Sequence, residues 1–179
     1  MNLRQDYFKR KVHKQQPRVK LYRNYEQISS ALILFESDYT EQNGVIISLI
    51  NRLKADGKTV DAFGFVGKKL TTTSSIRPFN VIGLNDVNLF HVPHKNVVAN
   101  LRSTHYDLLL DLRLHACVPL QYMSLFADAD LKVGADLEEE MQTKVLDLMI
   151  KIPLHELEPT EDDVRRLFEE QIRYLKIIK

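Results

Sequence analysis

The chain has 179 residues, of which 44% are hydrophobic and 27% are charged. This length suits one domain with a sizeable core, and the composition excludes a disordered, a collagen-like or a disulfide-stapled protein, since Cys117 is the single cysteine. The 25 Lys and Arg residues balance 24 Asp and Glu residues, so bulk charge does not make this chain a binder of polyanions.

The sequence predicts a cytoplasmic protein. Its first residues lack the apolar run of a secretory signal, and no stretch of 18 apolar residues is present to cross a membrane. A single cysteine fits a reducing compartment.

Residues 1–25 are predicted to form a basic helical extension. Residues 1–23 hold eight Lys and Arg residues against one acid, Asp6. On a helix, Phe8 and Val12 form an apolar i,i+4 pair, which favours docking of this helix on an acidic body. The alternative is an arm that binds an anion such as phosphate, RNA or anionic lipid. The candidate residues for that arm are Lys9, Arg10, Lys11 and Lys14.

From residue 26 onward, short apolar runs alternate with segments whose apolar residues recur at helical spacing. In the first half the pattern predicts a strand at 31–36, a helix from Val45 to a stop at Gly57, a strand at 59–66, a polar loop at 67–75, and short strands at 79–84 and 88–92. In the second half it predicts a helix at 95–104, a strand at 106–112, a helix at 119–127, strands at 130–134 and 145–150, and a final helix capped by Thr160 and Asp163.

This alternation predicts an α/β fold for residues 26–179, as a single domain. We expect a Rossmann or flavodoxin-like open sheet, mostly parallel and flanked by helices. The strand runs are nearly all apolar, as in strands that are buried on both faces.

The candidate ligand-binding residues follow the predicted strands, because ligands bind beyond the carboxyl ends of such strands. They are Glu36, Ser37, Asp38, Asn43, Asp111, Arg113, His115 and Asp136. Burying a carboxylate without a partner costs free energy, so Asp111 is interpreted as a helix cap, a salt-bridge partner of Arg113, a ligand-binding group or a general base.

No catalytic residue, cofactor or metal is predicted. The segment GFVGKK, residues 64–69, lacks the spacing of a phosphate-binding loop, and neither a G-x-G-x-x-G nor a G-x-S-x-G motif is present. His91, His94 and His105 lack the spacing of a zinc site. Cys117 lies between apolar neighbours and is interpreted as a core residue.

Two resemblances rest on longer segments. Residues 31–136 resemble the N-terminal Rossmann-like half of heptosyltransferase-type glycosyltransferases, through the helix VIISLINRLKADGK, the strand TVDAFGF and the pair YDLLLDL and LKVG. This implies a Rossmann-like fold and a sugar-nucleotide-like ligand. Asn43–Gly44 stands where those enzymes have Gly-Asp, and the chain has no room for their second domain. The whole chain also resembles a family of short uncharacterised bacterial proteins, of Bacteroidetes type, through its DLLLDL, PLQYMS and DLKVG segments.

Three functional hypotheses follow. The first is a non-enzymatic α/β binding or interaction module, with an unknown protein partner or an anionic ligand. The second is a nucleotide or sugar-nucleotide-like binder, or a degenerate glycosyltransferase-like enzyme, that uses the carboxyl ends of the strands. The third is an RNA or anionic-membrane binder acting through residues 1–23, in which nucleic acid is the less favoured partner.

Overall fold

A computed structural model of the chain describes residues 3–15, 18–37, 43–70, 78–139, 141–153 and 159–178. Its centre is a six-stranded sheet in which every neighbouring pair of strands is parallel. The strands are β1 Ser30–Glu36, β2 Thr59–Phe65, β3 Asn80–Ile82, β4 His105–Asp111, β5 Asp128–Ala135 and β6 Leu148–Ile150.

Six α-helices accompany the sheet within the described ranges. They are α1 Leu3–His13, α2 Gly44–Ala55, α3 Lys95–Ser103, α4 Val118–Phe126, α5 Gln142–Val145 and α6 Glu161–Ile177. Short 3-10 turns occupy Tyr25–Gln27 and Leu84–Asp86.

The strand order is β3-β2-β1-β4-β5-β6, so the direction of winding reverses between β1 and β4. This order defines a Rossmann-like sheet, and it confirms the predicted fold class. The carboxyl ends of β1 and β4 lie side by side, since Leu34 pairs with Asp111 in the register.

Helices cover both faces of the sheet. Ile33 and Leu110 pack with α2 and α6 on one face, whereas Leu34 and Leu109 pack with α3 and α4 on the other. All four side chains are fully buried. The continuous apolar runs of β1 and β4 are therefore explained by burial on both faces, as predicted.

Local signals in the sequence set several helix ends as predicted. The Thr160 hydroxyl accepts a hydrogen bond from the Asp163 N–H, and the Asp163 carboxylate accepts one from the Thr160 N–H at 3.0 Å, which forms a capping box for α6. Gly57 follows α2 with a φ of 78°, a backbone conformation that favours glycine.

The predicted strand at 88–92 is wrong. These residues form a turn whose base is an antiparallel bridge between Val87 and Pro93. The Asn88 side-chain oxygen accepts hydrogen bonds from the N–H groups of residues 90 and 92, and these hydrogen bonds stabilise the turn. His91 has a φ of 60°, which a strand does not allow.

Two other predicted strands are shorter than expected. Of residues 79–84 only Asn80–Ile82 pair with β2, and of residues 145–150 only Leu148–Ile150 pair with β5. Residues 71–75 of the predicted polar loop lie outside the described residues.

The helix α1 packs on the outside of α4. Phe8 and Val12 are buried against Tyr122 and Leu125, and the Phe8 ring meets the Tyr122 ring edge-on at 4.9 Å. The i,i+4 pair therefore docks the helix, as the sequence predicts.

Residues 18–23 run along the part of β5 that β6 leaves uncovered. The Leu21 N–H donates to the Asp130 carbonyl at 3.3 Å, and the Arg18 guanidinium donates to the same carbonyl at 2.8 Å. Arg18 also pairs with Asp147, and Arg23 pairs with the Asp130 carboxylate at 3.0 Å. Ion pairs between basic residues of the extension and acidic residues in or beside the sheet thus hold the extension in place. The extension covers a strand edge that would otherwise be exposed.

Across the residues that the structure describes, no helix has both the length and the apolar character that crossing a membrane requires.

Candidate functional site

The polar edge of the molecule lies where β1 and β4 end. Glu36 is the last residue of β1 and Asp111 is the last residue of β4. Ser37 is buried just beyond β1, and its hydroxyl accepts a hydrogen bond from the Asn43 side-chain amide at 3.2 Å. The topology therefore brings these predicted residues to one edge of the sheet.

Asp111 and Arg113 form a buried ion pair at this edge. Arg113 Nε donates to Asp111 Oδ1 at 2.9 Å, and Nη2 donates to Oδ2 at 2.7 Å. The two residues are 1% and 2% exposed. Burial lowers the pKa of Arg113, but the adjacent carboxylate of Asp111 has the larger effect, so the pKa is raised overall. Of the alternatives left open for Asp111, the structure shows the salt bridge.

One donor of Arg113 is left over from this pair. Its Nη1 has no hydrogen-bond partner among the residues that the structure describes. The nearest acidic group is the Glu139 carboxylate, whose Oε2 lies 3.7 Å from Nη1.

Arg113 lines a cavity of about 290 Å³, which we call the Arg113 cavity. This cavity lies between α1, the first turns of α4 and the segment that joins β5 to α5. Its apolar wall is formed by side chains of α1 and of the region around α5, namely Phe8, Leu137, Met141, Val145 and Leu146. Its polar wall includes Lys9, Gln121, Glu138, Glu139 and Gln142.

Glu139 and Gln121 are oriented by each other. Gln121 Nε2 donates to Glu139 Oε1 at 2.6 Å, which leaves Oε2 on the side of Arg113. Burial raises the pKa of Glu139, although the charge of Arg113 acts in the opposite direction.

A second cavity, of about 250 Å³, lies between the first turns of α2 and α6. We call it the Glu36 cavity. Glu36, Asn43 and His115 line it, and His115 Nδ1 lies 3.1 Å from Glu36 Oε1. Burial raises the pKa of Glu36. The side chain of His115 is exposed.

The predicted ligand-binding residues are therefore divided between two cavities. Arg113 faces one cavity and Glu36 the other, while Asp111 lines neither of the two. Asp136 also lines neither, and its carboxylate accepts the Glu138 N–H at 3.1 Å within the loop after β5. Asp38 lies outside the described residues.

The four candidate residues of the basic arm are likewise separated. Lys9 lines the Arg113 cavity, whereas Arg10 and Lys14 are exposed. Lys11 lies over the Tyr7 ring, with 5.5 Å between Nζ and the ring centre.

Cys117 is a core residue, as predicted. It is 7% exposed, and burial, together with the charge of Glu36, raises the pKa of its thiol to about 12. The thiol is therefore protonated at neutral pH.

Sequence reasoning missed Gln121, Glu139 and Met141. A signal for Glu139 was present in the sequence, because the acidic residues 138–140 lie a few positions after the predicted strand at 130–134. Gln121 was hidden within the helix PLQYMS, where a single glutamine carries no motif.

A group of side chains at the opposite edge of the sheet has the composition of a metal site. Ligand atoms of His105, Asp107 and Asp130 lie within 4.8 Å of one another. However, Arg23 contacts both carboxylates, at 3.6 Å from Asp107 and 3.0 Å from Asp130. Asp107 also accepts two backbone N–H groups, at 2.7 and 3.1 Å. We interpret the group as an ion-pair network that anchors the extension.

The sequence matches a protein family over residues 2–178. The chain belongs to DUF6913, a family of unknown function. A comparison with curated proteins and one with solved structures found no match. The family match covers nearly the whole chain, whereas the glycosyltransferase resemblance and the bacterial origin stay predictions.

Proposed function

We propose that the protein is a non-catalytic α/β binding module that holds a small, neutral, polar molecule in the Arg113 cavity. The observation that carries this proposal is the unpartnered Nη1 of Arg113, a buried donor on a residue that lines the cavity. Leaving a buried donor without a partner costs about 1–3 kcal/mol, so a ligand that supplies an acceptor regains this free energy.

The surroundings of Nη1 favour one class of ligand. Glu139 Oε2 is an acceptor that lies 3.7 Å from this donor. A carbonyl beside an N–H, as in an amide, a lactam or the edge of a nucleobase, satisfies both groups at once. The lining carries charges of both signs, with Lys9 and Arg113 balancing Glu138 and Glu139, so a neutral ligand fits the cavity best.

The apolar wall supports a compact ligand that is apolar away from this polar edge. Phe8, Met141 and Val145 face the same cavity as the two polar groups. An apolar lining with a few convergent polar groups is the usual composition of a small-molecule site.

The division of acids between the two cavities supports binding rather than turnover. Acid–base catalysis requires its groups within hydrogen-bond reach of one reacting molecule. Glu36 and Glu139 both have raised pKa values, but they line different cavities.

Thermal unfolding with matched probes tests the proposal. Benzamide and uracil present a carbonyl beside an N–H, whereas benzoate has the size of benzamide but a negative charge. A ligand at 100 times its dissociation constant adds about 2.7 kcal/mol, which raises the Tm of a domain of this size by roughly 5–10 °C. We expect the amide-type probes to raise the Tm and benzoate to leave it unchanged.

A pair of methionine variants locates the binding. Met141→Trp fills the Arg113 cavity, and Met149→Trp makes the same change at a half-buried position of β6 that is not among the cavity's lining residues. The Tm shift with benzamide should be lost in the first variant and kept in the second. A shift with benzoate alone contradicts the ligand class, and no shift with any probe contradicts the small-molecule function and favours a protein partner.

The glycosyltransferase resemblance adds a second candidate for the same assay. The strand order places the Glu36 cavity beside the reversal between β1 and β4, where Rossmann-like folds bind nucleotides. Binding of a uridine sugar nucleotide that is lost in Asn43→Ala and kept in Met141→Trp would support this candidate.

A cytoplasmic location and a bacterial source belong to the proposal, and they rest on the single cysteine and on the sequence resemblance.

A further inference from the structure

The turn at residues 88–92 exposes two apolar side chains to solvent. Leu89 is 89% exposed and Phe90 is 41% exposed. Single exposed apolar residues are common on protein surfaces, but these two are adjacent at the end of a closed turn. We call them the apolar tip.

The apolar tip lies directly beside α1. The Phe90 ring stacks on the Tyr7 ring, with 5.1 Å between the ring centres. Lys11 Nζ lies 5.5 Å from the centre of the same Tyr7 ring. Burial and the positive charge of Arg4 lower the pKa of His91, which places Arg4 near the turn as well.

The cations beside the tip follow the helical repeat. Positions 4, 7 and 11 are three or four residues apart, so Arg4, Tyr7 and Lys11 share one side of α1, and Lys14 continues this line in the turn that follows. We call this line of residues the basic stripe. Phe8 and Val12, on the neighbouring face, are buried and fix the helix on α4.

The charges of the basic stripe are available for a partner. Arg18 and Lys20 are paired with Asp147, directly before β6, and Arg23 is paired with Asp130 of β5. Within the described ranges, by contrast, Arg4 and Lys11 form no ion pair. The extension therefore has a paired part along β5 and an unpaired part beside the apolar tip.

We propose that the apolar tip and the basic stripe dock the protein on the surface of an anionic lipid membrane. Leu89 and Phe90 enter the region between the headgroups and the acyl chains, while Arg4, Lys11 and Lys14 contact anionic headgroups. An apolar element flanked by Lys and Arg, with a tyrosine at their boundary, is the arrangement that binds a membrane surface without spanning it.

The same residues fit single-stranded RNA less well. RNA-binding surfaces place aromatic rings where bases can stack on them. Here the Phe90 ring already stacks on Tyr7, and the most exposed residue is a leucine, which has no aromatic face. The membrane is therefore the partner that the observations favour.

Co-sedimentation of the full chain with large vesicles tests the proposal. One set of vesicles consists of phosphatidylcholine, and the other of phosphatidylcholine mixed with phosphatidylglycerol. We expect binding to the mixed vesicles only, and weaker binding as salt rises from about 0.1 M to about 1 M, because the screening length falls from about 10 Å to about 3 Å.

Matched variants assign the binding to this surface. Leu89→Ser should weaken binding about tenfold or more, whereas Val19→Ser, at a residue that is 79% exposed on the extended segment, should not. Lys11→Ala should weaken binding about fivefold, and Lys54→Ala, at an exposed lysine of α2, should leave it unchanged. The Tm of each variant confirms that it folds.

Three outcomes would overturn the proposal. They are no sedimentation with the mixed vesicles, equal binding by the wild type and Leu89→Ser, and binding to single-stranded RNA in place of vesicles. The proposal does not depend on a ligand in the Arg113 cavity, since Met141→Trp should bind the vesicles as the wild type does.

Discussion

Lys132 places an amine inside the protein, in the middle of β5. It is 3% exposed, and its Nζ donates to the Ser124 carbonyl near the end of α4 at 2.6 Å. Burial lowers the pKa of Lys132 to about 7. The unfolded chain holds this proton up to about pH 10. Lys132 therefore links the stability of the fold to pH.

We expect the stability of the wild type to rise with pH relative to a Lys132→Met variant. Between about pH 7 and about pH 10 the unfolded state binds more protons than the folded state, so this contribution grows by up to about 1.4 kcal/mol per pH unit. Thermal unfolding of both proteins across this range measures the difference. Lys54→Met, at an exposed site, should keep the wild-type dependence, and parallel curves for wild type and Lys132→Met would contradict the prediction.

The buried pair of Asp111 and Arg113 predicts strong coupling between two substitutions. Arg113→Met leaves an uncompensated buried carboxylate, which we expect to cost about 3–5 kcal/mol. Asp111→Leu combined with Arg113→Met removes both charges and should recover much of this loss. Urea unfolding of the single and double variants measures the coupling, and simple additivity of the two losses would contradict it.

At the scale of elements, Asp147 joins the extension to the sheet. Its carboxylate accepts the Lys132 N–H at 2.8 Å, lies 2.9 Å from Lys20 Nζ and also pairs with Arg18. One side chain, 1% exposed, thus connects residues 18–23 with β5.

Asp147→Asn should loosen the extension without unfolding the sheet. The variant keeps the shape of the side chain but removes its charge, and hydrogen bonds to charged groups contribute about 1.5–3 kcal/mol each. Hydrogen exchange of the Leu21 amide should become faster in this variant. Asp162→Asn, at an exposed position of α6, serves as the control, and unchanged exchange at Leu21 would show that Asp147 does not hold the segment.

The elements that could be predicted from the sequence are those whose signals are local. The apolar runs of β1 and β4 and the capping box at Thr160 predict their elements, since burial and capping act on neighbouring residues. The turn at 88–92 could not be predicted in this way, because Leu89 and Val92 are apolar like strand residues. What decides its conformation is the Asn88 side chain, which closes a turn instead of leaving the backbone free for a ladder.

At the scale of the whole molecule, the sheet order determines where the site lies. Alternation of strands and helices predicts that polar residues meet at the carboxyl edge, and Glu36 and Asp111 do end adjacent strands. The division into two cavities was not predictable, because it depends on contacts far apart in the chain. Phe8 of the extension and Met141 beyond β5 meet in the Arg113 cavity, although more than a hundred residues separate them.

The central position of β1 also has a consequence for synthesis of the chain. β1 leaves the ribosome before the other strands of this sheet, yet one of its two neighbours is β4, residues His105–Asp111. Until that segment emerges, the nascent half-sheet of β1, β2 and β3 presents an apolar strand edge with no partner. The extension packs later still, because α1 packs against α4 and residues 18–23 bind along β5, and both of these elements follow β4 in the chain. The extension precedes the sheet in the chain, yet it is among the last segments to pack, and a nascent-chain chaperone would meet the unpaired edge of β1.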